Sequence, residues 1–353
     1  MAAKIDLEEF CRLIPKVEIH CHLLGTIRRQ TMLELNHRAG SPLPVSEIEG
    51  FYIRGDRPKG VLHIFRALDA KLIKTPDDLY RITFEYLQDA HAHTVRYTEF
   101  FWNPTGTVER SGVPFEQAQG AIQAAIDEAE LRLGIVARLI PSIDREAPPA
   151  KATEMVEMML AHPHEHTIGI GIDYREPDGP PGDFAEAFAL ARAHGYKTTA
   201  HAGEFGMPAA NVKIALDNLK VDRIDHGYTI VDDPDLARIC AGKGIIFTVV
   251  PTNSYYLRTL PKDRWALDHP MRRMPDLGLR IHPNTDDPAF HLVTPTGVWA
   301  MMVQDFGFDL DHLRQFMING LDGAWLPEGL RARMKRDWCA EYDVLRARLI
   351  AFA

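Results

Sequence analysis

From residue 17 onward, short runs of apolar and β-branched residues alternate with longer stretches whose apolar positions recur every three or four residues. The first pattern predicts buried strands, the second predicts helices, and their alternation predicts an α/β fold with parallel strands. Eight such runs are readable, at 17–22, 95–102, 135–143, 168–173, 197–204, 223–227, 245–251 and 279–287. The segments between them carry helical punctuation. Pro114 opens a stretch in which Ala118, Ala121, Ile122, Ala125, Ile126 and Ala129 fall at helical spacing. Asp183 and Glu186 have the spacing of a capping box ahead of Phe184, Ala187, Phe188 and Ala191. Asp233 before Pro234 reads as an N-cap with proline at the first helical position, and Gly242 as the helix stop.

Eight strand–helix alternations fit a (β/α)8 TIM barrel, although an open doubly wound sheet uses the same alternation. The placement of polar residues favours the barrel. Groups able to bind a metal or move protons fall at the C-terminal ends of at least five runs, where a closed barrel gathers its active site. Residues 24–93 are too many for one loop and one helix. Two helix patterns, 29–39 and 62–73, flank a Pro/Gly-rich piece at 41–60, which predicts an elaborated first crossover acting as a lid over the mouth. The tail from residue 309 reads as C-terminal helices, 331–349 among them, and residues 1–353 as one barrel domain.

Composition narrows the partners. The 353 residues carry 40 Lys+Arg against 49 Asp+Glu, a formal charge of -9. That balance argues against a surface built to neutralise phosphates, so no nucleic-acid partner is expected. Arg28-Arg29 and Arg272-Arg273 are too short to change this and read as solvated faces. Cys11, Cys21, Cys240 and Cys339 show no Cys-x-x-Cys spacing, which predicts free thiols in a reducing compartment. The N-terminus alternates charge and apolarity where a signal peptide needs a continuous apolar core. No stretch approaches the roughly 20 apolar residues of a membrane span, so the expected address is cytoplasmic, with no membrane partner.

Candidate chemistry begins with Val17-Glu18-Ile19-His20-Cys21-His22. Alternate residues of a strand share a face, so His20 and His22 point the same way and both reach one metal ion. His-x-His alone is weak evidence, because a histidine pair also decorates surfaces and cores. His91-Ala92-His93 has the same spacing but follows a helical stretch, where the imidazoles diverge. His162, His164 and His166 fall in a Pro-containing turn and are expected to face solvent. His201-Ala202-Gly203-Glu204 places a histidine and a carboxylate across small residues that allow close backbone approach. The plainer alternative makes His201 a strand cap and Glu204 a helix cap. Arg223-Ile224-Asp225-His226-Gly227 adds a histidine at another strand end, and Asn284-Thr285-Asp286-Asp287-Pro288 adds adjacent carboxylates. Two ionised neighbours need a cation or strong donors nearby, whereas an Asx turn before proline explains only one of them. Together His20, His22, His201 and Asp286 form a three-nitrogen, one-oxygen set suited to one Zn²⁺ with an open position for water.

The segments PKVEIHCHLLGT, HAGE, RIDHGY and NTDDP, in that order and spread over most of the chain, resemble the adenosine deaminase family of metal-dependent aminohydrolases. The resemblance implies a (β/α)8 barrel, one zinc ion and hydrolytic replacement of a purine 6-amino group by oxygen. Carried over by motif, it makes His20, His22, His201 and Asp286 the metal ligands and Glu204 the proton donor to purine N1. His226 becomes the residue that orients and helps activate the water, Asp287 the partner of purine N7. Addition at C6 pushes electrons onto N1, which needs an acid in reach, and loss of ammonia needs a second proton, traffic that His226 and Asp286 share. Cytidine-type zinc deaminases use a Pro-Cys-x-x-Cys pair, which this chain lacks.

Three departures from the family pattern bear on the substrate. Adenosine-specific members carry an acid where Leu24 stands, and an aliphatic side chain cannot accept from the ribose 5′-hydroxyl. In Gly171-Ile172-Asp173-Tyr174-Arg175-Glu176, adenosine-type members have glycine in place of Glu176, whose carboxylate could accept from a free-base N–H as in adenine-deaminase-like members. Gly171, Glu176, Leu24 and Asp287 are therefore the candidate substrate contacts. In 249–256, Val250 replaces the family's cysteine, and Tyr255 and Tyr256 either stack on a planar ligand or pack under the rim. The expected substrate is a small-molecule aminopurine or related aminoheterocycle, whether free base, N6-substituted adenine or modified nucleoside. Two other readings use the same residues: a barrel amidohydrolase opening a cyclic amide or ester, and an idle binding protein, against which the retention of Glu204, His226 and Asp287 argues.

Overall fold

The computed structural model describes residues 4–56, 58 and 60–349. Eight strands pair in chain order, every neighbour parallel: β1 (Lys16–Glu18), β2 (Val95–Trp102), β3 (Val136–Asp144), β4 (Gly169–Asp173), β5 (Lys197–Ala202), β6 (Arg223–His226), β7 (Ile246–Val249) and β8 (Arg280–Pro283). An open doubly wound sheet reverses its strand order at a switch point; this sheet does not, and it is a (β/α)8 barrel. The curl closes where the chain beyond β1 meets the chain beyond β8. The His22 N–H donates to the Asp286 carbonyl at 2.9 Å, and the Asp286 N–H to the His20 carbonyl at 3.1 Å. The closing contact is thus made by three residues singled out for their side chains.

Several strands are shorter than the apolar runs that announce them, because the last residues of each run leave the ladder and turn into the barrel mouth. Asp286 does so at φ 66°, and Tyr174, just past β4, and His226, the last residue of β6, share this backbone at φ 67° and 65°, a left-handed region costly for side-chain-bearing residues and found where surrounding structure over-determines it. Helix Phe115–Leu133 follows Pro114 as expected, and helix Pro234–Lys243 starts at Asp233, whose side chain accepts from Leu236 N–H at 3.0 Å. Its stop is Gly244 rather than Gly242, since it is Gly244 that adopts φ 67°. The capping box at Asp183 does not form, because 181–184 winds as a 3-10 turn and Phe184 caps helix Ala185–Ala193.

The first crossover holds helices Arg29–Arg38, Val45–Phe51, Leu62–Ala67 and Pro76–Ala92. Arg57 and Lys59 of the Pro/Gly-rich piece, like residues 350–353 of the tail, lie outside the described residues. Arg66 ties this crossover to the barrel: Nη1 donates to Asp144 Oδ2 at 2.7 Å, Nη2 to Glu146 Oε2 at 2.6 Å, and the guanidinium lies 4.6 Å from the Tyr174 ring centre. The tail contains helix Glu328–Arg346. All four cysteines are free, and among the described residues no helix is long and apolar enough to cross a membrane. His166 contradicts its solvent-facing assignment: it is buried, with Nε2 2.7 Å from Asp127 Oδ1, while His164 is exposed.

The strand that carries His20 is held from inside the barrel by a buried ion pair. Arg223 on β6 pairs with Glu99 on β2 and donates from Nη2 to the Ile19 carbonyl at 3.0 Å. Trp325 N–H and Tyr97 O–H complete the Glu99 carboxylate, at 2.6 and 2.7 Å. Removing one partner of such a pair strands the other charge without water. Arg223→Ala is expected to lower unfolding stability by about 3–5 kcal/mol, read by chemical denaturation; a loss under about 1 kcal/mol would show that water reaches Glu99.

Candidate active site

A cavity of about 490 Å3 opens at the C-terminal ends of the strands. Its deep end is lined by His22, Asp173, His201, Glu204, His226, Asp286 and Asp287, and its wall by Val61, Leu62 and Phe65 of the first crossover. His20, His22, His201 and Asp286 each present one ligand atom, and the four atoms lie within 4.8 Å of one another, all buried. His22 Nε2 and His201 Nε2 are 3.2 Å apart, and Asp286 Oδ1 stands 3.2 Å from His22 Nε2 and 3.4 Å from His20 Nε2.

Buried groups behind the histidines commit their outer nitrogens. His22 Nδ1 faces Asp173 Oδ2 at 3.2 Å, and His201 Nδ1 faces Asp225 Oδ2 at 3.3 Å. His20 Nδ1 meets Thr248 Oγ1 at 2.8 Å, and that hydroxyl donates to Asp225 Oδ1 at 2.7 Å. The facing carboxylates favour hydrogens on the Nδ1 atoms of His22 and His201 by proximity, without a formed hydrogen bond, and leave the Nε2 atoms toward the site. His22 Nε2 and His201 Nε2 stand 3.2 Å apart beside the Asp286 carboxylate, and His20 Nε2 is buried without a hydrogen-bond partner. The donor set therefore fits a divalent metal.

Beside this set lie the groups for proton transfer. Glu204 Oε2 is 3.5 Å from His226 Nε2, and Asn253 Nδ2 donates to Glu204 Oε1 at 2.8 Å. Burial, reinforced by the charge of Asp286, holds the Glu204 carboxyl well above its ordinary range. Burial, with His20 and His201 alongside, holds the His226 imidazole well below its own. Asp287 is also pushed up, by burial and then by Asp286, and its Oδ1 is buried without a partner. A Cβ on Gly25 would overlap that carboxylate, so only glycine lets Asp287 sit where it does.

The other candidate substrate contacts are placed differently. Both Glu176 oxygens are spent on protein: Gly203 N–H donates to Oε1 at 2.9 Å, Glu204 N–H to Oε2 at 2.9 Å, and Asn211 Nδ2 to Oε1 at 2.8 Å. Glu176 is fully buried and clamps the turn that carries Glu204, where Gly203 adopts φ 70°. Gly171 packs against Phe101 and Ser142, and Leu24 is buried in the turn Leu23–Thr26; neither is among the residues lining the cavity. The tyrosines divide the two roles offered to them. Tyr255 lines the cavity, whereas Tyr256 is buried against Tyr228 and His269. His91 and His93 take no part in the metal-binding group. Residues to which no role was assigned from sequence are Asp173, Asp225, Thr248, Asn253 and His291, all buried. Buried acids within strands, Asp173 at the end of β4 and Asp225 inside β6, were the available signal.

Against this geometry, the sequence profile described as adenosine deaminase matches residues 15–338. The chain belongs to the adenosine deaminase family. An adenine deaminase from Cupriavidus necator is 33% identical over 346 residues, covering 97% of this chain and 95% of that protein. A zinc-bound amidohydrolase from Burkholderia ambifaria is 56% identical and superposes with a TM-score of 0.96 over 96% of this chain and 93% of that one. The adenine deaminase of Arthrobacter aurescens is 28% identical, with a TM-score of 0.86 over 94% and 99% of the two chains. This member of the adenosine deaminase family is a metal-dependent deaminase.

The carboxylates behind the histidines generate the prediction. Asp225→Asn turns one of the two acceptor oxygens into an NH2 donor, so either the contact with His201 or the bond that holds Thr248 against His20 is lost. Metal affinity is expected to weaken by about 10- to 100-fold, measured by competition with a chromogenic chelator; unchanged affinity would mean that Asp225 does not orient the ligands.

Proposed function

We propose that this family member is a zinc-dependent aminohydrolase that replaces the 6-amino group of an aminopurine by oxygen and releases ammonia. The observation that carries the reading is a buried carboxyl, Glu204, pushed by burial toward its protonated form and set beside His226 and the converging donor set of His20, His22, His201 and Asp286. The 33% identical adenine deaminase and the 56% identical zinc-bound amidohydrolase support the substrate class and the metal. These four residues would hold a zinc ion, whose contribution would be to lower the pKa of a water to about 7 and so supply hydroxide near neutrality.

The protein's own groups do the rest. Glu204 gives its proton to N1 as the C6–N1 π electrons move onto that nitrogen and C6 becomes tetrahedral. His226, kept neutral by burial, orients the attacking water. With Asp286 it returns a proton to the departing amino nitrogen, so that ammonia rather than amide anion leaves. Asp287, its carboxyl protonated by burial beside Asp286, donates from its unpartnered oxygen to N7. Residues 24–93 serve as the cover of the cavity within one barrel domain, Phe65 and Leu62 walling off water from the reacting edge. With Leu24 aliphatic, no acid from that position reaches a ribose 5′-hydroxyl, while Glu176, committed to Gly203, Glu204 and Asn211, does not serve as the acceptor of a base N–H. Free aminopurines and N6-substituted bases are the substrates this cavity suits.

Ammonia release across a panel of adenine, N6-substituted adenines and their nucleosides tests the reading. Turnover of at least one 6-aminopurine is expected, and none with any member contradicts it. Glu204→Gln is expected to lower kcat by about 100- to 10,000-fold while one zinc per chain is retained; a rate unchanged by that substitution removes Glu204 from the mechanism.

A further inference from the structure

Glu204 has two carboxyl oxygens and the transferable proton sits on one of them, which makes the neighbours of each oxygen decisive. The orientation of the Asn253 amide is fixed independently of Glu204. Asn253 is the N-cap of helix Ser254–Thr259, and its Oδ1 accepts from Tyr255 N–H at 3.0 Å and from Tyr256 N–H at 3.4 Å. An amide oxygen is the only end of that side chain able to accept those bonds, so Nδ2 faces Glu204, 2.8 Å from Oε1. An oxygen that receives an N–H at that distance has no room for a hydrogen of its own in the same direction.

Oε2 meets the opposite chemistry. Its neighbour is His226 Nε2 at 3.5 Å. The other His226 nitrogen, Nδ1, lies 3.1 Å from the Tyr228 hydroxyl. That hydroxyl spends its single hydrogen on the Val250 carbonyl at 3.2 Å and accepts the Val250 N–H at 2.9 Å. It is therefore an acceptor toward His226, which carries its hydrogen on Nδ1 and turns an Nε2 lone pair toward Oε2. Donor on one side and lone pair on the other give the carboxyl a single preferred arrangement. We propose that Asn253 is a positioning residue that confines the acid proton of Glu204 to Oε2, the oxygen beside His226. In the reaction that proton passes from Oε2 to the ring nitrogen, the C=N π electrons become the new N–H bond, and Glu204 is left as a carboxylate still bonded to Asn253 through Oε1. The Glu176 clamp on the backbone N–H groups of Gly203 and Glu204 fixes the main chain from which the carboxyl extends.

The inference rests on Glu204 as the acid of the proposed deamination, and Asn253→Asp separates the two. Aspartate keeps the oxygen that caps the helix but replaces the donor by an acceptor, which draws the Glu204 proton to Oε1, the wrong side. The variant is expected to fold with unchanged melting temperature and to bind one zinc, while kcat on the best aminopurine falls about 100-fold and KM changes less than threefold. Asn253→Ser, which caps the helix but is too short to reach Glu204, is expected to lose less, about 10-fold in kcat, with KM again preserved. Retention of wild-type kcat by Asn253→Asp, or a loss confined to KM, would overturn the assignment. Wild-type protein inert toward every aminopurine would instead overturn the deaminase reading itself. Should Asn253→Asp misfold, the kcat and KM of Asn253→Ser decide.

Discussion

The Nε2 atoms of His20, His22 and His201 and an Asp286 oxygen converge on one buried point, an arrangement that a cation at its centre stabilises. Asp173, Asp225 and Thr248 impose it by engaging the outer nitrogens of His22, His201 and His20. Much of the fold serves this constraint. The barrel closes through hydrogen bonds between His20, His22 and Asp286, so the last strand cannot seat without bringing the fourth ligand to the other three. The left-handed backbone of His226 and Asp286 is local strain accepted at the rim, where it turns side chains inward.

A second layer of buried polar groups supports the acid. Glu176 binds two consecutive backbone N–H groups of the turn carrying Glu204, and Asn253 binds its side chain. Arg145, fully buried just past the end of β3, donates to the His201 carbonyl at 2.6 Å. None of these groups need touch a ligand, yet they determine where the reacting groups stand. Buried polar networks of this kind are worth their desolvation only when their members are satisfied, and the donors on Glu176 meet that condition.

The repeating pattern and the metal set were legible because each is written in local spacing. Alternating apolar runs announced all eight strands, and His20, His22, His201 and Asp286 stood at run ends where a barrel gathers its chemistry. What escaped notice depends on pairing across the barrel. Nothing adjacent to Asp225 in sequence reveals that its oxygens serve Thr248 and Thr199, or that it faces His201. Glu176 invited a substrate role through the resemblance to adenine-deaminase-like members, but its partners come from the next strand's turn. His166 looked like a turn histidine until helix Phe115–Leu133 supplied Asp127. Local rules also misplaced caps: the residue with the left-handed backbone, Gly244, stopped the helix, not the glycine two positions earlier.

The central claim is that four side chains drawn from three separate regions of the chain grip one divalent ion. Anomalous diffraction from crystals of the purified protein, collected on both sides of the zinc absorption edge, tests it most directly. The account predicts one strong peak per chain, about 2.0–2.2 Å from the Nε2 atoms of His20, His22 and His201 and from an Asp286 oxygen. An empty site in metal-replete protein, or a peak bound by other residues, would contradict it.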